Sequence, residues 1–424
     1  MNPVQKYLKN LLAKNRVIGR DHTLNGLVKA DMILDHLVNE KKVPGLSITV
    51  LKDGKTILQK GYGYADLENQ IPVDPTQTMF RIASVSKPIA ATALAHLVAD
   101  GEIDLDASFY EYVPYYPQKK WDFTIRQLAS HTAGIRGYRG MEYGLNQSYT
   151  IKEGTTVFKD DDLIYEPGQG YGYNSFDWVL VSLAIQEATG IPFEQYVQQK
   201  VLYPLGLKNT FAESRPARRR ELGGNRETGD SRVAGSDREA GDSRVVGSDR
   251  EAGSNRESGS DQGAEKNPIQ EKSTAFDKRQ NDQHLTKFYS KNRLGFRPAI
   301  PVNNFYKLAG GGYLSTSEDI AKFGQAYLVG TILPEAIRAQ FLTSQTIKGK
   351  PTYYGLGWQV SEDTKGRKFY GHVGNGVGGY SNFFVYPEEQ MVFAVLVNCT
   401  DPKIQDELDD VVDTLIDLHR NINL

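Results

Sequence analysis

Between Ile89 and Ala99 the chain is apolar on every side except at Thr92 and His96, and a helix apolar all round has to be buried. Such a stretch needs a large body to wrap it, and 424 residues suffice for one large domain or two interleaved ones. Asp100-Gly101 supplies a stop. Pro88 is tolerable because it lies near the helix start, where little backbone hydrogen bonding is lost. Ser84 is thereby placed at a helix N-terminus, where free N–H groups and the dipole favour developing negative charge. Lys87, three residues on, falls on the same face one turn away. A serine becomes a nucleophile when a base stands beside it, and a desolvated lysine can serve. Ser84-Val85-Ser86-Lys87 alone does not separate that chemistry from a capping serine beside a solvated lysine.

The rest of the chain shows what could enclose this helix. Leu27, Ile33, Leu34, Leu37 and Val38 recur at helical spacing within Leu24 to Val38. Leu46 to Leu51 is rich in β-branched residues, Asp53-Gly54 makes a turn, and Thr56 to Gly63 continues as the partner strand. From Asp104 to Tyr203 the pattern is mostly helical, with Ile125 to Leu128, Trp178 to Ala188 and Phe193 to Val201 as segments. Ser315 to Asp319 has the serine and glutamate spacing of a capping box before a helix over Ile320 to Leu328. Strand-like segments follow at Gly357 to Val360, Lys368 to Val373, Ser381 to Tyr386 and Met391 to Asn398, and an amphipathic helix closes the chain over Ile404 to Leu418. The expected fold is α+β, an α/β sandwich: an antiparallel sheet built from both chain ends and flanked by helices, plus a mostly helical lobe. The sheet lobe is expected at about 23–83 and 340–420, the helical lobe at about 84–339, with 1–22 as an N-terminal extension.

Residues 213 to 283 break every pattern. Glycine recurs there at 223, 229, 235, 241, 247, 253 and 259, and arginine follows it three places on from Arg226 to Arg256. A hexapeptide β-helix needs an apolar residue in each rung, and Val233, Val245 and Val246 are nearly the only ones here. The segment is expected to be a disordered insertion, tolerated at the surface.

Composition excludes several function classes. A formal charge of −2 gives no reason to expect nucleic acid as a partner. Seven histidines stand singly, so neither a metal nor any other cofactor is expected. Cys399 is the single cysteine, which rules out an intrachain disulfide and leaves the compartment unmarked. No apolar run approaches the roughly 20 residues of a membrane span. Met1 to Arg20 has the basic residues of a signal peptide but no continuous apolar region or cleavage site. The expected location is the cytoplasm, or outside it if the N-terminus is a trimmed one.

Two more stretches bear on Ser84. Pro167 to Phe176, with Tyr173-Asn174-Ser175 inside it, is a glycine-rich turn entering a helix, and Tyr370 to Gly379 is a strand followed by a glycine-rich turn. Together with Gln127 to Ile135, Leu308 to Thr316 and Tyr354 to Trp358, they make the chain resemble the serine β-lactamase and penicillin-binding-protein superfamily. The likeness is to its class C and D-Ala-D-Ala carboxypeptidase branch, and within it to the mitochondrial serine β-lactamase-like subfamily and bacterial relatives. That superfamily orders Ser-x-x-Lys, then Tyr-x-Asn, then Lys-Thr-Gly or His-x-Gly. The resemblance covers roughly residues 24 to 212 and 284 to 420.

What the resemblance implies is specific. Ser84 is the acylated nucleophile, Lys87 its proton-transfer partner, and Tyr173 shares the general-base role. His372 and Gly374 match the third motif, whose strand edge binds the substrate backbone, and the Asn375 N–H joins that of Ser84 as the oxyanion hole. Two departures stand out. Ser175 occupies the place of the amide that contacts substrate, and His372 replaces a lysine that would hold a β-lactam carboxylate. Both argue against an efficient β-lactamase and leave a peptidase or esterase open. The expected activity is therefore that of a serine hydrolase acting through an acyl-enzyme on a small-molecule or peptide amide or ester. A true β-lactamase or D-Ala-D-Ala carboxypeptidase, and a non-enzymatic assembly or peptide-binding scaffold, are the alternatives; self-association stays open. Tyr138, Tyr143, Tyr171 and Trp358 are candidates for the cleft wall, with aromatic packing as the alternative, and His131 is expected to hold a loop or stand in that wall. Glu142 to Asn146 mimics a class A deacylation motif but precedes the tyrosine element, and is read as chance.

Overall fold

In the computed structural model, which describes residues 26–213 and 284–422, strands from the two ends of the chain pair with each other. The main sheet has β1 (Gly45–Lys52), β2 (Lys55–Asp66), β3 (Ile71–Pro72), β4 (Gln359–Glu362), β5 (Lys368–Gly376), β6 (Gly379–Tyr386) and β7 (Met391–Val397). Their order is β4-β5-β6-β7-β1-β2-β3, every neighbour antiparallel. The seam between the two ends is the β1–β7 pair, where Ile48 faces Val395. Asp53 and Gly54 make the β1–β2 turn with φ of 50° and 74°, the positive pair that a two-residue hairpin of this hand requires.

Helices cover both faces. α1 (Gly26–Asn39) and, at the far end of the chain, the closing helix Gln405–Ile422 lie on one; α2 (Ser86–Ala99), α3 (Phe176–Thr189) and α4 (Ser317–Val329) belong to the core of the other. The closing helix, α5, buries Leu408, Val411, Val412, Leu415 and Ile416, a single stripe at helical spacing. Removing one of these side chains, as in Leu415→Ala, is worth about 3 kcal/mol. Strand alternation divides the two cores. Phe383, Val385, Val392, Ala394 and Leu396 join the core of α2–α4, while Phe384, Tyr386, Phe393, Val395 and Val397 join that of α1 and α5. A sheet covered on both faces explains why β7 reads as unbroken apolar sequence.

The fold is thus α+β, with its sheet drawn from both chain ends as expected. α2 begins at Ser86 rather than Ile89, and Ser84 sits in the 3₁₀ turn Ala83–Val85 that feeds it. α4 is capped by Thr316, whose Oγ1 accepts the Asp319 N–H at 3.2 Å, rather than by a serine–glutamate box. Ser315 is buried, its Oγ 2.7 Å from Thr210 Oγ1. The extension 1–22 and residues 214–283 of the insertion lie outside the described residues. Glu213, expected to open the insertion, belongs to the body: its N–H donates to the Gly312 carbonyl at 2.8 Å and its carboxylate pairs with Arg81.

Candidate active site

The nucleophile turn is held under strain against the sheet. Ala83 has φ of 46°, left-handed for a residue with a Cβ, which costs on the order of 1–3 kcal/mol and persists only where surrounding structure imposes it. That surrounding is β5 and β6. Ser381 Oγ donates to the Ile82 carbonyl at 2.7 Å. At Gly374 a Cβ would lie 2.2 Å from Ser381 Oγ, 2.4 Å from the Ile82 carbonyl and 3.1 Å from Ser84 N. Only glycine lets β5 approach the turn this closely.

Two side chains meet Ser84. The Tyr173 hydroxyl donates to Ser84 Oγ at 2.7 Å. Lys87 Nζ stands 2.8 Å from the Tyr173 hydroxyl and 3.1 Å from Ser84 Oγ, and donates to the Gly310 carbonyl at 2.8 Å. Burial pushes the Lys87 ammonium down to about 7, with the Asp177 charge pulling the other way. Near neutral pH a large share of Lys87 is therefore free amine, able to take a proton. Burial raises the Tyr173 phenol above its ordinary range, and the hydrogen bond to Ser84 opposes this. The residue is still 43 % exposed, so water moderates the push. Burial thus lowers the Lys87 ammonium and raises the Tyr173 phenol, and the Tyr173 hydroxyl stands between Lys87 Nζ and Ser84 Oγ within hydrogen-bond distance of both.

Behind Tyr173 lies a buried pair absent from the motif pattern. His131 Nδ1 is 2.7 Å from Asp177 Oδ2, and Asp177 also accepts the Asn174 amide at 2.6 Å. Burial pushes the imidazole well down and the carboxyl well up. The His131 ring packs edge-on against Tyr173 at 4.6 Å between centroids. Asp177 thus fixes His131, and His131 fixes the ring that carries the bridging hydroxyl.

Ser84 opens into a cavity of about 330 Å³ whose lining includes Ser175, Asn304, Lys307 and Asn375. Burial raises the Tyr138 phenol to about 12, with Ser175 acting to lower it. Tyr138 and Tyr143 line this cavity, Tyr171 lines a different one, and Trp358 is core, stacked on Phe323. His372 is not at the cleft surface. It is 1 % exposed, its Nδ1–H donates to the Val373 carbonyl at 2.7 Å, and its Nε2 accepts the Tyr354 hydroxyl at 3.0 Å. Burial lowers it to about 3, so it stays neutral with both nitrogens engaged. Glu142 is paired with Arg136, in line with a structural part.

Sheet, nucleophile turn and buried lysine together define a serine β-lactamase-like protein. The chain belongs to the Beta-lactamase family, whose pattern matches residues 30–416. It is 24 % identical over 453 aligned residues to the mitochondrial serine beta-lactamase-like protein LACTB of Homo sapiens, covering 84 % of this chain and 71 % of that one. Among solved structures, the D-amino acid amidase of Ochrobactrum anthropi SV3 superposes with a TM-score of 0.68 at 20 % identity, over 94 % of this chain and all of that one (100 %). EstCE1, a hydrolase with promiscuous acyltransferase activity, gives 0.66 at 17 % identity, over 92 % and 98 %. At such identities these structures speak for the fold alone.

Of the residues singled out in the sequence, Ser84, Lys87 and Tyr173 converge, Gly374 touches the nucleophile turn, and Ser175 and Asn375 line the cavity. Asp177 and Lys307 were missed. Their signals were slight: a carboxylate inside the apolar run Phe176 to Ile185, and a lysine directly before Leu308-Ala309.

Proposed function

We propose that the protein is a serine hydrolase that forms an acyl-enzyme on an amide or ester. The observation that carries this is the closed set of hydrogen-bond distances among Ser84, Lys87 and Tyr173, 2.7 to 3.1 Å, at the floor of an open cavity. Lys87 free amine takes the Ser84 proton, directly or through Tyr173, as Oγ bonds to the substrate carbonyl carbon. The N–H groups of Ser84 and Asn375 receive the oxyanion. Collapse breaks the bond to the leaving amine or alcohol, which takes the proton from Lys87 by way of Tyr173. Water then repeats the sequence on the acyl-serine and frees the acid. A neutral His372 with both nitrogens engaged offers no charge to a β-lactam carboxylate, which favours peptidase or esterase chemistry over β-lactamase. A D-amino acid amidase and a hydrolase with promiscuous acyltransferase activity sharing this fold are compatible with such a reaction. Incubation with a fluorophosphonate tests it by intact mass. One adduct per chain, absent in Ser84→Ala, is expected; an unlabelled wild-type protein counts against the proposal.

A further inference from the structure

The cavity beside Ser84 holds a cation that the reaction does not use. Lys307 ends the turn Phe305–Lys307, three residues before the Gly310 carbonyl that holds Lys87. It is 6 % exposed, yet it lines the same cavity as Ser84 and Ser175. Its Nζ donates to the Tyr143 carbonyl at 2.6 Å and lies 5.3 Å from the centre of the Tyr138 ring.

The other charges lining this space are already matched. Arg81 pairs with Glu213 and donates to the Val377 carbonyl at 2.9 Å. The second oxygen of Glu213 accepts the Asn304 amide at 2.7 Å. Asp401 pairs with Lys403 at 2.7 Å. Among the described residues no ion pair includes Lys307. Burial pushes its ammonium down to about 8, Glu213 opposing and Arg81 adding to the push. A buried cation gains most from a carboxylate brought to it, because the pair forms away from water. Ser175 lines the same cavity but carries no charge, so the cation this cavity keeps for a substrate group is Lys307.

We propose that Lys307 sets specificity, selecting amides or esters whose acyl part presents a carboxylate to the cleft beside Ser84. The role rests on the hydrolase reading above. It is a recognition role, expressed in binding rather than in the bond-making step, and it involves no residue of the Ser84–Lys87–Tyr173 set.

The test compares adipoyl and suberoyl monoesters of 4-methylumbelliferone with twins whose distal carboxylate is methylated. The wild-type protein is expected to prefer the free acid of at least one pair in kcat/KM. Lys307→Met is expected to reduce that preference about tenfold or more, chiefly through KM, the usual scale for a hydrogen bond to a charged group. Lys307→Gln keeps a donor for the Tyr143 carbonyl and removes the charge, so it reports the same loss if the methionine variant folds poorly. Equal losses on both twins in Lys307→Gln, or an unchanged preference, overturn the proposal. Binding of monomethyl adipate and monomethyl suberate to Ser84→Ala protein, read by calorimetry, separates recognition from chemistry. Binding weakened about tenfold by adding Lys307→Gln supports the role of Lys307 even where no ester turns over, which would count only against the hydrolase reading. Binding that Lys307→Gln leaves unaltered overturns the role of Lys307 whatever the turnover.

Discussion

Lys87 and Lys307 are two buried lysines beside one cleft, and burial lowers both, to about 7 and about 8. Their neighbours differ. Lys87 has two hydroxyls, Ser84 and Tyr173, within 3.1 Å, and the Gly310 carbonyl fixes its position. Lys307 has one carbonyl and the faces of two rings, Tyr138 and Tyr306. A hydroxyl can give up its proton and a carbonyl or ring cannot. On the roles proposed for them, the same desolvation prepares a base in one place and a waiting charge in the other. What would then separate a catalytic lysine from a binding one is the chemistry of the group it touches, not the depth of its burial.

This contrast can be broken or sharpened by mutation. Ser84→Ala removes the covalent route, and turnover of an activated ester should fall by roughly 10⁶. Lys87→Met should cost at least 10² to 10⁴ on every substrate, charged or neutral, since it deletes the base; a loss confined to anionic substrates would make Lys87 a binding residue and erase the contrast. Tyr173→Phe keeps the ring and deletes the relay, with an expected loss of about 10² to 10⁴. Added to Lys87→Met it should make little further difference, because the two act as a unit. Asp177→Ala leaves the buried His131 Nδ1 without its acceptor and takes one of three from the Asn174 amide, and urea unfolding should show a destabilisation of about 3 kcal/mol. Unaltered stability would mean the pair is not held as tightly as its 2.7 Å separation implies. The effect of Lys307, about tenfold and selective, is the smallest of the set.

The sheet from both ends was legible because β-branched and aromatic runs at Leu46–Leu51 and Met391–Asn398 admit few alternatives. Ser84, Lys87 and Tyr173 were legible for a different reason: each lies in a short pattern whose order is itself informative. Ala83 was not, since nothing in an alanine signals a left-handed backbone that the packing of β5 and β6 imposes. His372 was visible as a motif residue, but its withdrawal depends on Tyr354, eighteen positions earlier and adjacent only in space. Asp177 and Lys307 escaped similarly. A single charged residue beside apolar sequence reads as a helix surface until its distant partners, His131 and Tyr143, are in place.

The central claim is that Lys87, as free amine, activates Ser84. It is tested most directly by the rate at which a fluorophosphonate labels Ser84 as pH is varied, read by intact mass with Ser84→Ala as the blank. Protonated Lys87 cannot accept the serine proton, so the rate should climb about tenfold per pH unit at low pH, bend near pH 7 and then run level. A rate that keeps climbing past pH 9 would show that Lys87 stays an ammonium at rest, and would contradict the account.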